Sequence, residues 1–314
     1  MSASEAASRP VDLRGRTAIV TGAGAGLGQT EALRLAAQGA AVVVNDLGAG
    51  AETTAQLITE AGGRALAVPG DISRWALGDE LVSAAVDTFG ALDIVVNNAG
   101  VIRDTMIFNL TEQDWDLVLD VHLKGHASLS RAAAVYFRAK SKAEGGPVYG
   151  RIINTTSEAG LMGAAGQPNY SAAKAGITAL TLSTAQGLAR YGVQVNAIAP
   201  RARTGMTEHV FAADSAGGRL DILSPERVAR LVAFLASPAS AGISGQLFIA
   251  YGDFVALLEP AQAEQVFTAD DDLFTEEELA RKLGGYFAER DPYATFAAYG
   301  LAKLDTTGVQ ALGG

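Results

Sequence analysis

The sequence of 314 residues contains no cysteine and only three histidines. Disulfide bonds and thiolate metal sites are therefore excluded, and the histidines do not have the spacing of a zinc site. We expect no metal site in this protein.

Long apolar runs are also missing. No stretch reaches the roughly 18 apolar residues that are needed to cross a bilayer, and the first ten residues contain no apolar core. We therefore expect a soluble, cytoplasmic protein that does not insert into a membrane.

Positive charge is scarce, since 24 Lys and Arg residues stand against 34 Asp and Glu residues, for a formal net charge of −10. Nucleic-acid binding requires a basic face, so this balance disfavours a nucleic-acid partner. A small-molecule substrate is the expectation that remains.

Apolar segments of strand length alternate with Ala-rich helical segments, and 49% of the residues are hydrophobic. This alternation is typical of a parallel sheet with helices on both faces. We predict an α/β, doubly wound, Rossmann-like fold with a seven-stranded parallel sheet. The predicted strands cover residues 17–21, 41–46, 64–68, 93–97, 151–156, 193–198 and 246–250.

Two regions are predicted along the chain. Residues 1–253 form one Rossmann domain, and residues 254–314 form a helical C-terminal extension. Thr275 followed by Glu276, Glu277 and Glu278 is typical of a helix start. Aromatic residues between 286 and 299 predict that the extension packs on the domain or on a neighbouring subunit.

A glycine-rich turn follows the first predicted strand, in the spacing Gly-x-x-x-Gly-x-Gly, and a helix-like segment follows the turn. In such a turn, backbone N–H groups and a helix N-terminus can approach a pyrophosphate closely. The alternative is a tight turn with no ligand. The residues predicted to contact a dinucleotide are Gly22, Gly26, Leu27 and Gly28.

The second predicted strand ends in Asp46, eighteen residues beyond Gly28. An acid at about this offset accepts hydrogen bonds from the adenosine ribose and repels a 2′-phosphate. No Arg or Lys stands in the glycine turn or just after Asp46. The sequence therefore favours NAD over NADP.

Tyr170 and Lys174 are four residues apart, and Ser157 lies thirteen residues before the tyrosine. Residues four apart share one helix face, so Lys174 and a bound nicotinamide cation could lower the phenol pKa from its usual value near ~10. Tyr170 could then act as a general base, while Ser157 binds the substrate oxygen. We predict these three as catalytic residues of hydride transfer on an alcohol or ketone.

Together, these motifs resemble the short-chain dehydrogenase/reductase family over roughly residues 12–253. The resemblance also includes Gly70-Asp71 after the third strand, Asn97-Asn98-Ala99-Gly100 after the fourth and Val195 to Pro200 in the sixth. It implies that Asp71 and Ile72 lie at the adenine, that Asn98 supports the cofactor cleft, and that Tyr170 and Lys174 also hold the nicotinamide ribose. Family members are commonly homodimers or homotetramers, which we expect here.

A narrower resemblance is to the (3R)-hydroxyacyl-CoA dehydrogenase module of peroxisomal multifunctional enzymes and to actinobacterial relatives acting on acyl-CoA or steroid substrates. It is carried by segments 42–48, 102–104, 121–125 and 203–208. His122 stands where most of the family has an Asn that helps to hold a proton-relay water. The histidine is either a relay member or a packing residue. Arg201 replaces the Gly that usually follows Pro200.

The resemblance implies an NAD-dependent oxidoreductase that interconverts 3-hydroxyacyl-CoA and 3-oxoacyl-CoA. The alternatives are a 17β-hydroxysteroid dehydrogenase or a 3-oxoacyl-carrier-protein reductase and, more remotely, a non-catalytic NAD-binding regulator. Substrate choice is expected to lie in residues 201–222 and in the C-terminal extension. Arg103, Arg201 and Arg203 are candidate anchors for anionic coenzyme A, unless they are ordinary surface residues.

Overall fold

The computed structural model describes residues 11–203, 220–291, 294–298, 300, 301 and 304. These residues contain one sheet, whose strands lie in the order β3-β2-β1-β4-β5-β6-β7-β8. The strands are β1 (Thr17–Thr21), β2 (Ala41–Asn45), β3 (Arg64–Ala67), β4 (Ile94–Asn97), β5 (Gly150–Thr155), β6 (Val193–Pro200), β7 (Leu247–Tyr251) and β8 (Phe254–Leu257).

The first seven strands are parallel, as the sequence predicts, but the described sheet has an eighth strand that the sequence analysis missed. β8 pairs antiparallel with β7 through the register Tyr251↔Phe254. Gly252, between them, adopts φ +57°, a conformation that glycine enters without strain. The Gly252-Asp253 pair between two apolar runs was the available signal for this hairpin.

Helices cover both faces of the sheet. The α-helices in the described part of the chain are α1 (Gly26–Ala37), α2 (Gly50–Glu60), α3 (Leu77–Phe89), α4 (Glu112–Leu119), α5 (Gly125–Glu144), α6 (Ala159–Met162), α7 (Pro168–Leu188), α8 (Pro225–Ala236), α9 (Glu276–Leu279) and α10 (Gly285–Glu289). No helix in the described part of the chain combines the length and the apolar character needed to span a membrane.

The apolar runs of the strands are explained by burial on both faces. In β1, Val20 packs in the cluster that contains residues of α1, α2 and α8, while Ile19 packs in the cluster that contains residues of α3, α5 and α7. Both side chains are fully buried. Parallel strands of this kind show continuous apolar sequence instead of alternation.

The order of the strands opens a crevice at the carboxyl edge of the sheet. β1 and β4 are neighbours, but the chain leaves β1 toward β2 and leaves β4 toward β5. Ligands bind at such a switch point in doubly wound folds. The glycine turn after β1 and Asn98 after β4 therefore meet there.

The C-terminal extension begins its helical part as the sequence predicts. Thr275 caps α9 in a capping box with Glu278. The aromatic side chains of Phe287 and Phe296 are largely exposed on this chain, and Tyr293 and Tyr299 lie outside the described residues. Leu304 attaches the extension to the sheet, since it is buried in a cluster with Ala199 of β6 and Ile249 of β7.

Glu31 on α1 is fully buried, and neither of its carboxylate oxygens has a hydrogen-bond partner among the described residues. Burial in an apolar setting disfavours the charged form. It raises the pKa of Glu31 from 4.5 to about 8. The carboxyl group is therefore protonated in the folded protein at neutral pH.

Glu31→Gln is expected to flatten the pH dependence of stability. Between 4.5 and about 8 the unfolded chain releases the Glu31 proton while the folded chain keeps it, so the free energy of unfolding falls as pH rises through this window. The limit is about 5 kcal/mol, from ~1.4 kcal/mol per pKa unit. Urea unfolding at acidic and alkaline pH measures this fall, with the exposed Glu52→Gln as control. An equal fall in wild type and Glu31→Gln would contradict the assignment.

Candidate active site

Every residue that the sequence singled out for catalysis or cofactor binding lines one cleft of about 400 Å³ at the carboxyl edge of the sheet. The cleft is lined by the turn after β1, by residues that follow β2, β3, β4 and β5, and by residues of α7. The lining residues that the sequence predicted are Gly22, Gly26, Leu27, Gly28, Asp46, Asp71, Ile72, Asn98, Ser157, Tyr170 and Lys174.

The glycine turn is packed so closely that a side chain does not fit at Gly22 or at Gly28. Gly22 adopts φ +62°, and a Cβ there would lie 2.7 Å from the Cα of Ala99. A Cβ on Gly28 would overlap the carbonyl oxygen of Gly22 and the side-chain nitrogen Nδ2 of Asn98. The glycines thus leave backbone uncovered at the N-terminus of α1, which is the kind of place where a phosphate group binds in other proteins. We call this turn the cradle.

The side chain of Asn98 holds this turn in place. Its Nδ2 donates to the carbonyl oxygens of Thr21, at 3.1 Å, and Gly22, at 3.2 Å. Asn97 points into the protein instead, where its Nδ2 donates to Asn154 at 2.9 Å. The two neighbouring asparagines therefore have different structural roles, and only Asn98 lines the cleft.

Two carboxylates stand at the end of the cleft beyond β2 and β3. Asp46 accepts the N–H of Gly24 on Oδ2 at 2.8 Å and the N–H of Leu47 on Oδ1 at 2.7 Å. Asp71 accepts the N–H of Ser73 at 2.9 Å. A carboxylate oxygen accepts more than one hydrogen bond, so Asp46 can fix the turn and still bind hydroxyl groups.

Ser157, Tyr170 and Lys174 meet at the other end of the cleft. Ser157 follows β5, and its Oγ accepts the N–H of Ala159 at 3.2 Å. Tyr170 and Lys174 lie one turn apart on α7, with the Lys174 Nζ 5.4 Å from the centre of the tyrosine ring. The same Nζ donates to the carbonyl oxygen of Thr155 at 2.7 Å.

Burial controls the acidity of this pair. It raises the pKa of Tyr170 above 10.0, and the hydroxyl of Ser157 opposes that rise. Burial also lowers the pKa of Lys174 to about 7. The lowering of the tyrosine pKa that the sequence predicts is therefore not produced by the protein's own groups, because loss of solvation is larger than their attraction.

His122 lies against the tyrosine on a π-helical turn, Asp120–Lys124, between α4 and α5. Its ring meets the Tyr170 ring edge to face, with centroids 5.2 Å apart. Its Nε2 lies 2.8 Å from the carbonyl oxygen of Val101. Burial, followed by the charge of Lys174, lowers the pKa of His122 well below 6.5. The histidine is therefore buried in its neutral form and lies directly beside the catalytic candidates.

The arginines considered as coenzyme A anchors have protein partners. Arg203 pairs with Asp221, Nε to Oδ2 at 3.0 Å, and Arg201 pairs with Glu158. Arg103 is half-exposed and lies 3.7 Å from Asp114. Most of the segment 201–222, expected to choose the substrate, lies outside the described residues, since 204–219 are not among them.

Two structural partners in the site were missed by the sequence analysis. The carbonyl of Thr155 anchors Lys174, and Glu158 binds Arg201. A backbone carbonyl has no signal in a sequence, because every residue has one. Glu158 had a weak signal, as a carboxylate directly after Ser157.

Comparison with known proteins agrees with the motifs. A family model described as short chain dehydrogenase matches residues 16–215. The chain is 53% identical over 301 residues to the hydroxyacyl-CoA dehydrogenase ChsB1 of Mycobacterium tuberculosis, covering 93% of this chain and 95% of the relative. The chain is also 38% identical to the peroxisomal hydratase-dehydrogenase-epimerase of Saccharomyces cerevisiae, over 87% of this chain but only 30% of that longer protein.

A solved structure is similar over the same region. The crystal structure of a short chain dehydrogenase from Mycobacterium avium superposes with a TM-score of 0.81 at 42% identity, covering 91% of this chain and 99% of that one. These similarities confirm the resemblance drawn from the motifs. The similarities to ChsB1 and to the Mycobacterium avium structure each cover more than nine tenths of this chain.

Gly28→Ala is expected to weaken NADH binding by about 10-fold or more, equivalent to ~1.4 kcal/mol, because the added methyl group displaces the phosphate cradle. Quenching or enhancement of NADH fluorescence measures the dissociation constant. Gly187→Ala is the matched control, since a Cβ at Gly187 in α7 meets nothing within 4 Å. Equal NADH affinity in both variants would refute the cradle.

Proposed function

Since the chain belongs to the short-chain dehydrogenase family, whose members are oxidoreductases that act on CH–OH groups with a nicotinamide cofactor, we propose that it interconverts 3-hydroxyacyl-CoA and 3-oxoacyl-CoA with NAD. The observation that carries this proposal is the meeting of Ser157, Tyr170 and Lys174 beside a dinucleotide cradle. The substrate class is supported by 53% identity to a hydroxyacyl-CoA dehydrogenase along nearly the whole of both chains.

The cradle residues fit a dinucleotide. The backbone of Gly22, Gly26, Leu27 and Gly28 would hold the pyrophosphate, and Asp46 the adenosine ribose. Asp71 and Ile72 would bound the adenine, while Asn98 keeps the turn in place. Asp46 repels a 2′-phosphate, which is the reason to propose NAD rather than NADP.

The proposed chemistry assigns one task to each catalytic residue. In the oxidative direction, Tyr170 removes the proton of the substrate hydroxyl as hydride leaves the carbon that bears this hydroxyl. Ser157 hydrogen-bonds the substrate oxygen and stabilises the charge that develops on it. Lys174 holds its ammonium near the phenol. NAD, when bound, would supply the hydride acceptor and a positive charge beside the site.

Burial raises the pKa of Tyr170 and lowers that of Lys174, which explains why binding of a charged cofactor matters to this site. Burial disfavours the phenolate and the ammonium alike, so each charged form depends on neighbouring charges. A positive charge added beside the phenol favours its ionised form, which is the form that accepts a proton.

A homodimer or homotetramer remains a prediction. Candidate contact residues are Trp115 on α4, Val135 on α5 and Leu182 on α7, whose large apolar side chains are exposed on this chain. The proposal places a subunit contact at these side chains, because association of subunits removes apolar surface from water.

Tyr170→Phe is expected to lower kcat for (3R)-hydroxyacyl-CoA oxidation by about 10²- to 10⁴-fold, the usual contribution of a general base, and to change NADH affinity far less than kcat. NADH formation is measured with NAD and a panel of (3R)- and (3S)-hydroxyacyl-CoAs and 17β-hydroxysteroids. Turnover of steroids alone would replace the thioester assignment with a hydroxysteroid dehydrogenase. NADH binding without turnover of any substrate in the panel would favour the non-catalytic regulator.

Asp46→Asn is expected to reduce the preference for NAD over NADP, measured as the ratio of the two kcat/KM values, by about 10-fold or more. The amide still accepts the N–H of Gly24 but neither carries a charge nor repels a 2′-phosphate; charge-assisted hydrogen bonds contribute ~1.5–3 kcal/mol. A wild-type preference for NADP, or an unchanged ratio in the variant, would count against the assignment of Asp46.

A further inference from the structure

Arg201 occupies the position directly after Pro200, where β6 ends beside the cleft. Its guanidinium group faces the carboxylate of Glu158 side by side. Nε donates to Oε2 and Nη2 donates to Oε1, both at 2.6 Å. The two side chains are only 17% and 12% exposed, so this is a largely buried, two-point ion pair.

The same guanidinium group also binds the C-terminal segment, by which we mean the described residues between 294 and 304. Nη2 donates to the carbonyl oxygen of Leu301 at 2.6 Å, and Nη1 donates to that of Leu304. The C-terminal segment itself is fixed by the burial of Leu304. Arg201 therefore joins two parts of the chain that are more than 100 residues apart.

A second contact ties the C-terminal segment to the loop after Ser157. The N–H of Ala298 donates to the carbonyl oxygen of Leu161 at 3.1 Å. Leu161 belongs to the short helix α6, whose N-cap is Glu158. The turn that follows Ser157 is thus held at both ends, by the Arg201 side chain at Glu158 and by the backbone of Ala298 at Leu161.

Ser157 depends on this turn for its position. Its Oγ accepts the N–H of Ala159, and its carbonyl oxygen accepts the N–H of Gly160. A displacement of Glu158 therefore moves the hydroxyl that lines the cleft. Since a misplacement of about 1 Å can cost about 100-fold in rate, the position of this turn matters to catalysis.

We propose that Arg201 is a positioning residue for Ser157, and that it makes the C-terminal segment a working part of the active site. The inference rests on the proposed role of Ser157. Arginine suits this task because its planar fork binds a carboxylate at two points and still reaches other acceptors, whereas lysine is a single point charge.

Arg201→Lys tests the proposal because it keeps the charge and loses the fork. We expect kcat for thioester oxidation to fall by about 10-fold or more, with NADH affinity unchanged, since the dinucleotide cradle lies elsewhere in the cleft. Hydrogen exchange should speed up together in peptides covering 157–163 and 294–304. Arg16→Lys is the matched control, because Arg16 forms a half-buried pair with Asp93 at 3.0 Å, just before β1 and away from the cleft.

Glu158→Gln supplies the second variant. It should lower kcat and speed up hydrogen exchange in the same two peptides. The double variant with Arg201→Lys should have a kcat no lower than that of the poorer single variant, because both changes break the contact between Arg201 and Glu158. Additive losses in kcat would overturn the proposal. So would a loss of exchange protection confined to 294–304, or a fall in kcat no larger than that of Arg16→Lys.

The exchange measurement separates this proposal from the proposed function. If the wild-type protein oxidises none of the thioesters, the proposed function fails, but the coupled protection of the two peptides still reports whether Arg201 holds the turn. If thioesters are oxidised and the peptides respond independently, the positioning role fails and the proposed function stands.

Discussion

The structure depends on the placement of β1 beside β4, two strands that more than 70 residues separate in sequence. Because the chain leaves them in opposite directions, no connection crosses the space between their carboxyl ends. Gly22 and Ala99 nearly touch at that point, and Asn98 bonds the turn directly across it. The position of the cradle therefore follows from the order of the strands. Glycine is required at Gly22 because the turn lies too close to Ala99 for a Cβ atom.

The opposite end of the cleft is governed by burial. Lys174 is almost completely covered, and its ammonium group has the carbonyl of Thr155 as a hydrogen-bond acceptor. The neutral imidazole of His122 adds packing against Tyr170 without adding charge. A site of this kind interacts strongly with any charge brought into it, because the low local polarity that shifts each pKa also strengthens each electrostatic interaction.

The sequence predicted the parallel part of the sheet and eleven of the residues that line the cleft, because each of those features is local. The glycine turn, the strand that ends at Asp46 and the Tyr–Lys pair on one helix are each recognisable from a few consecutive residues. β8 was missed because its signal, Gly252-Asp253, is short. The pKa of Tyr170 was not predictable, since it depends on how completely the fold covers the phenol. The partners of Arg201 were not predictable either, because they come from distant segments.

Arg201 and Glu158 illustrate why such long-range partners constrain a sequence. Burying either charge alone is costly, and the cost is offset only when both are present in good geometry. A glycine at position 201 would leave Glu158 without its cation, and the carbonyls of Leu301 and Leu304 without that donor. An arginine at 201 in turn requires an acid at 158 and a C-terminal segment long enough to reach it. The three features form one unit, so a chain that carries any one of them is expected to carry all three.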